Sequence, residues 1–174
     1  MDTDPAADPL FVGAHWSSEG WVSVAFSGNE FADAAVDTEA GQLWSRVEDQ
    51  AERVLVDVPV GLIEDGDPER QPDRLAREAL GNRAATVTTP PVREATRKRR
   101  FPAAERTMQR KTGSKLSRAA FAASEAIAAV DELLQEVPES REVVGEAHPE
   151  LCFRAFAGEP MAYDRTTAGG YAER

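Results

Sequence analysis

Apolar residues at the start of the chain recur with the two-residue period that is typical of β-strands. Residues 10–16, LFVGAHW, form a short apolar run, and residues 20–27, GWVSVAFS, alternate between two faces. The residues SSEG at 17–20 predict a tight turn, so the two segments predict an antiparallel hairpin. Residues 31–36 predict a third, weaker strand.

The pattern then changes to one in which helices and strands alternate. Residues 42–52 have the spacing of an amphipathic helix. Residues 54–60, VLVDVPV, are almost entirely apolar and rich in valine, which is typical of a strand covered on both faces in a parallel region of a sheet. Asp73 is predicted to cap a helix that runs to Leu80 and that Gly81 ends.

The second half of the chain predicts mostly helices. Residues 84–92 are predicted to be extended or irregular, whereas the alanine-rich residues 117–137 predict one long helix. Residues 141–146 predict a strand, and residues 150–156 predict a short helix. This order predicts an α/β fold with a mixed sheet, in which an antiparallel hairpin and parallel strands are flanked by helices.

Length and composition limit the classes of protein to consider. The 174 residues suit a single domain, which we expect at residues 10–174 after a disordered acidic tail at residues 1–9. One cysteine, Cys152, excludes an internal disulfide and favours a reducing cytoplasm. No segment has the pattern of a membrane span or a secretory signal, so we expect a cytoplasmic protein with no membrane partner.

The chain is acidic, with 31 Asp and Glu residues against 20 Lys and Arg residues and a formal net charge of -11. Only Lys98, Lys111 and Lys115 are lysines. An acidic surface that is poor in lysine stays hydrated in concentrated salt, where ions screen its self-repulsion. The composition therefore favours a halophilic protein over an ordinary acidic protein that GC-rich DNA encodes.

A strongly basic segment interrupts this acidic chain between Arg93 and Arg118. It contains ten basic residues and two acidic ones, Glu94 and Glu105, which gives it a net charge of +8. The segment predicts either a phosphate-binding surface or a basic face that pairs with acidic neighbours, and the sequence favours neither. The residues that we expect to contact DNA or RNA are Arg97, Lys98, Arg99, Arg100, Arg106, Arg110, Lys111 and Lys115.

Asp57 is the strongest candidate for a functional residue. It is the charged residue in an apolar strand pattern, and a buried, unpaired carboxylate costs several kcal/mol unless a metal, a cation or a hydrogen-bond network compensates it. Pro59 and Gly61 follow it, so it is predicted at the carboxyl end of a strand, where α/β folds bind ligands. The alternative is that Asp57 caps the following loop.

A second group of candidates lies in the segment GEAHPE. Glu146 and His148 are two residues apart, so they share one face of a strand, and Glu150 opens the next helix. Such a group can hold Mg²⁺ or Mn²⁺, although the spacing slightly favours the alternative of a strand end with an N-terminal Glu on the next helix and an ordinary surface histidine. His15 in the first strand is a third candidate, either as a ligand or as a packed histidine.

Four segments together resemble the predicted RNase H-like nuclease family that is known as domain of unknown function family 429. They are GAHWSSEGWVSV, VLVDVPVGLIEDG followed by PDRLAREALG, KLSRAAFAASEAIAAVDELL, and GEAHPELCFRAFAGEPM followed by TTAGGYAER. The resemblance runs from about Leu10 to the last residue and is to the haloarchaeal type of member.

The resemblance implies an RNase H-like fold with a five-stranded mixed sheet, and phosphodiester hydrolysis that uses two divalent ions, Mg²⁺ or Mn²⁺. Asp57 and Glu146 would hold metal, Glu150 would assist them, and His15 would be a ligand or a base. The alternative is a non-catalytic relative that binds nucleic acid or a protein through the basic segment.

Two departures from the family pattern affect this expectation. Members carry an aspartate in the first strand where this chain has His15, and they continue into a further helix where this sequence stops at Arg174. A two-metal centre needs about three or four carboxylates, so we expect little or no nuclease activity from the chain alone. We also expect the sheet face that lacks the final helix to favour association with a second copy or another chain.

Overall fold

The sheet is the organising element of the computed structural model, which describes residues 9–174. The tail predicted at residues 1–9 lies almost wholly outside the described residues. Five strands have the spatial order β3-β2-β1-β4-β5. They are β1 (Leu10–Ser17), β2 (Gly20–Ser27), β3 (Glu30–Asp37), β4 (Ala51–Val56) and β5 (Val144–Glu146).

Strand directions confirm the predicted mixed sheet. β1 and β2 form an antiparallel hairpin, and β2 pairs antiparallel with β3. β4 lies parallel to both β1 and β5. Gly20 closes the hairpin with a φ of +123°, and a Cβ at this position would lie 2.4 Å from the Asp37 carbonyl oxygen, so the turn accepts only glycine.

Helices make up most of the remaining described chain. They are α1 (Ala40–Val47), α2 (Gln71–Leu80), α3 (Arg93–Thr96), α4 (Phe101–Thr112), α5 (Arg118–Ala122), α6 (Ser124–Glu136), α7 (Ser140–Val143), α8 (Pro149–Ala157) and α9 (Ala168–Glu173), with a 3₁₀ helix at Gly81–Thr86. Among the described residues, none of these helices is long and apolar enough to cross a bilayer.

The chain divides into two compact units. The sheet unit consists of the described residues up to Gly61 together with Glu125–Glu146, and the helical unit consists of Leu62–Ser124 together with Ala147–Arg174. The single domain predicted over residues 10–174 stays a prediction.

The two faces of the sheet differ in burial. On one face, Val12, Ala14, Val54 and Val56 are buried, and residues of α1 and α6 pack against them. The opposite face, which we call the open face, carries six large apolar side chains that are 39% to 65% exposed. These are Phe11, Val22, Phe26, Phe31, Val36 and Leu55.

The helical unit has two apolar clusters. One joins α3, α4 and α5 through Val92, Met108 and Leu116. The other packs Leu80 of α2 against Val87, with Leu151 of α8 beside them. Short helices can be stable in such a unit because burial of their apolar faces, rather than their length, stabilises them.

The ends of three helices and strands differ from the predictions. The helix predicted at residues 42–52 ends at Val47, because β4 already begins at Ala51. β4 itself ends at Val56, so Asp57 follows the strand instead of lying within it. The strand predicted at residues 141–146 is β5 alone, and the residues before it form α7.

Two helix predictions need correction in detail. Asp73 does not cap α2, because the helix begins at Gln71 after Arg70, and the Asp73 side chain is buried in the first turn. The long helix predicted at residues 117–137 is divided between α5 and α6. Ser117 does cap α5, since its side chain accepts a hydrogen bond from the Ala120 amide at 3.0 Å.

Candidate active site

His15 and Asp57 meet at the carboxyl ends of two parallel strands. Ala14 of β1 pairs with Val56 of β4, and the Asp57 amide donates to the Ala14 carbonyl at 3.3 Å. His15 and Asp57, the residues that follow this pair, therefore lie side by side on the open face. The His15 Nδ1 atom contacts the Asp57 Oδ2 atom directly. The His15 side chain is 68% exposed and that of Asp57 is 22% exposed.

The contact determines which nitrogen of His15 is available for chemistry. An imidazole whose Nδ1 donates to a carboxylate has a lone pair on Nε2, so the carboxylate fixes both the tautomer and the ring orientation. A histidine held in this way can accept a proton from a water molecule, and the carboxylate then stabilises the imidazolium ion. The structure thus joins two residues that the sequence presented as separate candidates.

Glu146 lies on the neighbouring strand but does not join this pair. It pairs with Val56 in the β4–β5 ladder, so it starts from the face opposite to Asp57. Its Oε2 atom accepts a hydrogen bond from the Val60 amide at 3.0 Å. In the part of the chain that the structure describes, no group of three or more His, Cys, Asp or Glu side chains could hold a metal ion. The predicted ion shared by Asp57 and Glu146 stays a prediction.

Glu150 belongs to the helical unit, where it anchors the C-terminal helix. Its carboxylate is buried and accepts hydrogen bonds from the Arg174 guanidinium at 2.5 and 3.1 Å. Arg83 lies 3.9 Å from its other oxygen. His148 Nε2 donates to the Thr86 carbonyl at 3.3 Å. The contacts of these two residues are therefore those of a packed helix start.

Part of the basic segment is neutralised within the segment itself. Glu94 accepts two hydrogen bonds from Arg110, at 2.9 and 3.0 Å, and pairs with Lys98 at 3.1 Å and Lys111 at 3.7 Å. The Arg110 guanidinium, with Lys98, lowers the pKa of the Glu94 carboxyl. Three of the residues expected to contact nucleic acid thus surround one carboxylate.

Other residues of the segment keep their charge exposed. Arg99, Arg100, Arg106 and Lys115 are exposed and make no ion pair with any residue that the structure describes, and we call these four residues the cationic patch. Arg97 is also exposed, but its guanidinium donates to the Arg93 carbonyl at 3.1 Å, at the C-terminal end of α3. Pairing with acidic neighbours, one of the two alternatives left open by the sequence, therefore applies to part of the segment, and the phosphate-binding surface stays a prediction.

A buried charge pair of the helical unit was missed by sequence reasoning. The side chains of Arg70 and Asp73 are each 4% exposed, and they meet at 2.5 and 2.9 Å through two nitrogens of the guanidinium. The signal that could have revealed it is opposite charge at a spacing of three residues across a helix start.

Comparison with known proteins gives one match. The family described as "Protein of unknown function (DUF429)" matches residues 16–174. The chain belongs to this family. The match to the DUF429 family includes Asp57, Glu146, Glu150 and the whole basic segment, and begins one residue after His15. No curated protein and no solved structure matches the chain significantly.

Proposed function

We propose that this DUF429 protein is an RNase H-like phosphodiester hydrolase that acts on nucleic acid, with His15 and Asp57 at its centre. The observation that carries the proposal is the His15–Asp57 contact at the carboxyl ends of β1 and β4. The exposed imidazole leaves room for a substrate, since 68% of the His15 side chain is accessible.

In the proposed reaction His15 is the general base. Its Nε2 atom takes a proton from a water molecule while the water oxygen forms a bond to phosphorus, and the bond from phosphorus to the leaving sugar oxygen breaks. That oxygen takes a proton from solvent. Asp57 stabilises the imidazolium ion of His15. General-base catalysis of this kind contributes about 10²- to 10⁴-fold to a rate.

The proposal includes one divalent ion, Mg²⁺ or Mn²⁺, in place of the two that the family resemblance implies. Asp57 contacts His15 through Oδ2, which leaves Oδ1 as a possible ligand. Mg²⁺ is often held by one or two carboxylates together with waters and substrate phosphates, so the residues present fit one ion. We propose one ion and not two, because no group of three or more His, Cys, Asp or Glu side chains that could hold a metal is found among the described residues. When bound, the ion would act as a Lewis acid on the phosphate.

A cleavage assay tests the proposal. Labelled single-stranded DNA, double-stranded DNA and RNA are incubated with the purified chain and Mn²⁺, at low salt and in molar KCl. The family pattern predicts little or no activity for the chain alone, but because of the His15–Asp57 contact we expect slow cleavage of at least one substrate, which Asp57→Asn abolishes. Asp49→Asn, the same change at an exposed residue away from the pair, should cleave like the wild type. Absence of cleavage by the wild type under every condition contradicts the proposal.

A second candidate function is nucleic-acid binding without catalysis, which the cationic patch favours. Four exposed cations without an ion-pair partner among the described residues can replace counterions on a phosphate backbone. This observation supports the alternative, stated from the sequence, of a non-catalytic relative that binds nucleic acid.

Charge reversal in the cationic patch should weaken binding. We expect Arg99→Glu with Arg100→Glu to reduce affinity for DNA or RNA by about tenfold or more at low salt, and to lower the slope of log affinity against log salt by about 2. Fluorescence anisotropy over a salt series measures both. Arg74→Glu with Arg165→Glu makes the same change in net charge at exposed positions outside the patch. Equal binding by both double variants would show that the patch is not the binding surface.

The open face supports a second copy of the chain as a partner. Its six apolar side chains leave on the order of 500 Å² of apolar surface in solvent, which is at the upper end for a monomer. A small stable interface takes about 600–800 Å² from each partner, so this face and its margin suffice for a dimer. Because His15 and Asp57 lie on the same face, such a dimer belongs to the non-catalytic, protein-binding alternative and not to the proposed hydrolase.

Light scattering after size exclusion tests the dimer. For the protein-binding alternative we expect a dimer at micromolar concentration that Phe31→Lys converts to a monomer, because Phe31 is 65% exposed on the open face. Phe156→Lys is the matched control, since Phe156 is 87% exposed on α8 and should not affect association. A monomeric wild type would contradict this part of the proposal.

A further inference from the structure

The loop that carries Asp57 is held by hydrogen bonds near both of its ends. It covers residues 57–61, directly after β4. At its start the Asp57 amide donates to the Ala14 carbonyl of β1 at 3.3 Å. Near its end the Val60 amide donates to the Glu146 Oε2 atom at 3.0 Å. The first contact continues the sheet, whereas the second comes from a side chain that is 86 residues further along the chain.

Glu146 reaches this loop because of its place in the sheet. It is the last residue of β5, and it pairs with Val56, the last residue of β4. The two strands are parallel, so they end at the same edge of the sheet, and the Glu146 side chain needs to extend only past the end of β4. A carboxylate that accepts from a backbone amide makes a charge-assisted hydrogen bond, which is stronger than one between neutral groups.

The residues after Asp57 determine the direction of its side chain. β4 ends at Val56, so the backbone torsion that follows Asp57 depends on the loop and not on the sheet. Val58 is buried at 5% exposure, but Gly61 turns the chain with a φ of +78°, in a region where glycine is conformationally free. The hydrogen bond at Val60 restricts the part of the loop between these two residues.

We propose that Glu146 is a positioning residue, which holds the loop so that the Asp57 carboxylate meets His15 Nδ1. The inference rests on the proposed function, in which that contact fixes the tautomer of the general base. Glu146 then acts through a backbone amide and not as a ligand of a metal ion, the role that the family resemblance implies for it. A misplacement of about 1 Å can cost about 10²-fold in rate, so a hydrogen bond outside the reacting pair can affect catalysis.

Three substitutions of Glu146 separate positioning from metal binding. Glu146→Gln keeps the length of the side chain and an oxygen that accepts from the Val60 amide, but it removes the charge. Glu146→Asp keeps the charge but is one methylene shorter and so loses the contact. Glu146→Ala removes both. We expect cleavage to fall by about 10- to 100-fold in the alanine and aspartate variants, and glutamine to restore most of the wild-type rate. Glu142→Ala, at an exposed residue of α7, is the control that should cleave like the wild type.

The tautomer of His15 is a readout that does not depend on cleavage. Nitrogen-15 NMR in alkaline solution, where imidazole is neutral, distinguishes the Nδ1–H form that Asp57 imposes from the Nε2–H form. We expect the Nδ1–H form in the wild type and in Glu146→Gln, and a shift towards the Nε2–H form in Glu146→Asp and Glu146→Ala. His148, whose Nε2 donates to the Thr86 carbonyl, is the reference signal, since the chain has two histidines.

Two results would overturn the inference. One is an unchanged Nδ1–H form of His15 in Glu146→Ala, with circular dichroism confirming that the variant is folded. The other is a loss of cleavage in Glu146→Gln together with a raised requirement for Mn²⁺, which would assign Glu146 to the metal. If the wild type does not cleave but the His15 tautomer still responds to Glu146→Ala, the proposed hydrolase is wrong and the role of Glu146 in positioning Asp57 stands.

Discussion

Replacing Asp73 by alanine is expected to lower the free energy of unfolding by about 3–5 kcal/mol. Asp73 and Arg70 are each 5% exposed or less and bind each other through two nitrogens of the guanidinium. Removal of the carboxylate leaves the Arg70 charge in a buried site without this partner. The cost arises mainly from the loss of this partner at a buried charge, because a buried pair contributes little net stability when it is intact.

The same helix contains the control for this prediction. Arg74 and Glu78 form an exposed pair at 2.7 Å with a spacing of four residues, so Glu78→Ala should cost less than about 0.5 kcal/mol. Urea unfolding of the two variants beside the wild type, monitored by circular dichroism, gives both values. A cost for Asp73→Ala as small as that of Glu78→Ala would show that water reaches Arg70 and that the pair is not buried in solution.

Replacing His15 by glutamine should reduce the proposed cleavage rate by about 10²- to 10⁴-fold. A glutamine amide can still donate to Asp57, so the local hydrogen bond is retained. It cannot accept a proton from water at neutral pH, so the general base is lost. The loss should fall on the chemical step, as single-turnover kinetics would show, and substrate affinity should change little.

The second histidine of the chain is the matched control. His148 donates to the Thr86 carbonyl within the helical unit, so His148→Gln should leave the cleavage rate near that of the wild type. The pH profile of the cleavage rate is a second readout, which His15→Gln should change and His148→Gln should not. Equal rates in the two variants would mean that His15 is not the base.

Strand positions were predictable because their signal is local. Alternation in β2, the turn at residues 17–20 and the valine-rich run before Asp57 all depend on neighbours within a few residues. The same locality explains the errors. The alanine-rich segment satisfies helix propensity across residue 123, but propensity is a weak prior that tertiary packing overrides, and the helix is divided there.

The candidate site was predicted residue by residue but not as an arrangement. Asp57 and His15 were identified from their types and positions, and the β1–β4 register is what places them together. Register also places Glu146 beside Val56 and not beside Asp57, and a shift of one residue moves a side chain to the other face of a sheet. Spacing along the chain contains no information about that shift.

The sequence by itself determined the α/β class, the hairpin, the acidic composition and the basic segment, because each follows from periodicity or from residue counts. Only the tertiary structure decided that Glu94 neutralises part of that segment and that Asp73 is buried against Arg70. It likewise brought Trp16, Trp21 and Trp44 to one cleft. Pairing and burial depend on which distant residues meet, and that is determined by the packing of the whole chain and not by any local pattern.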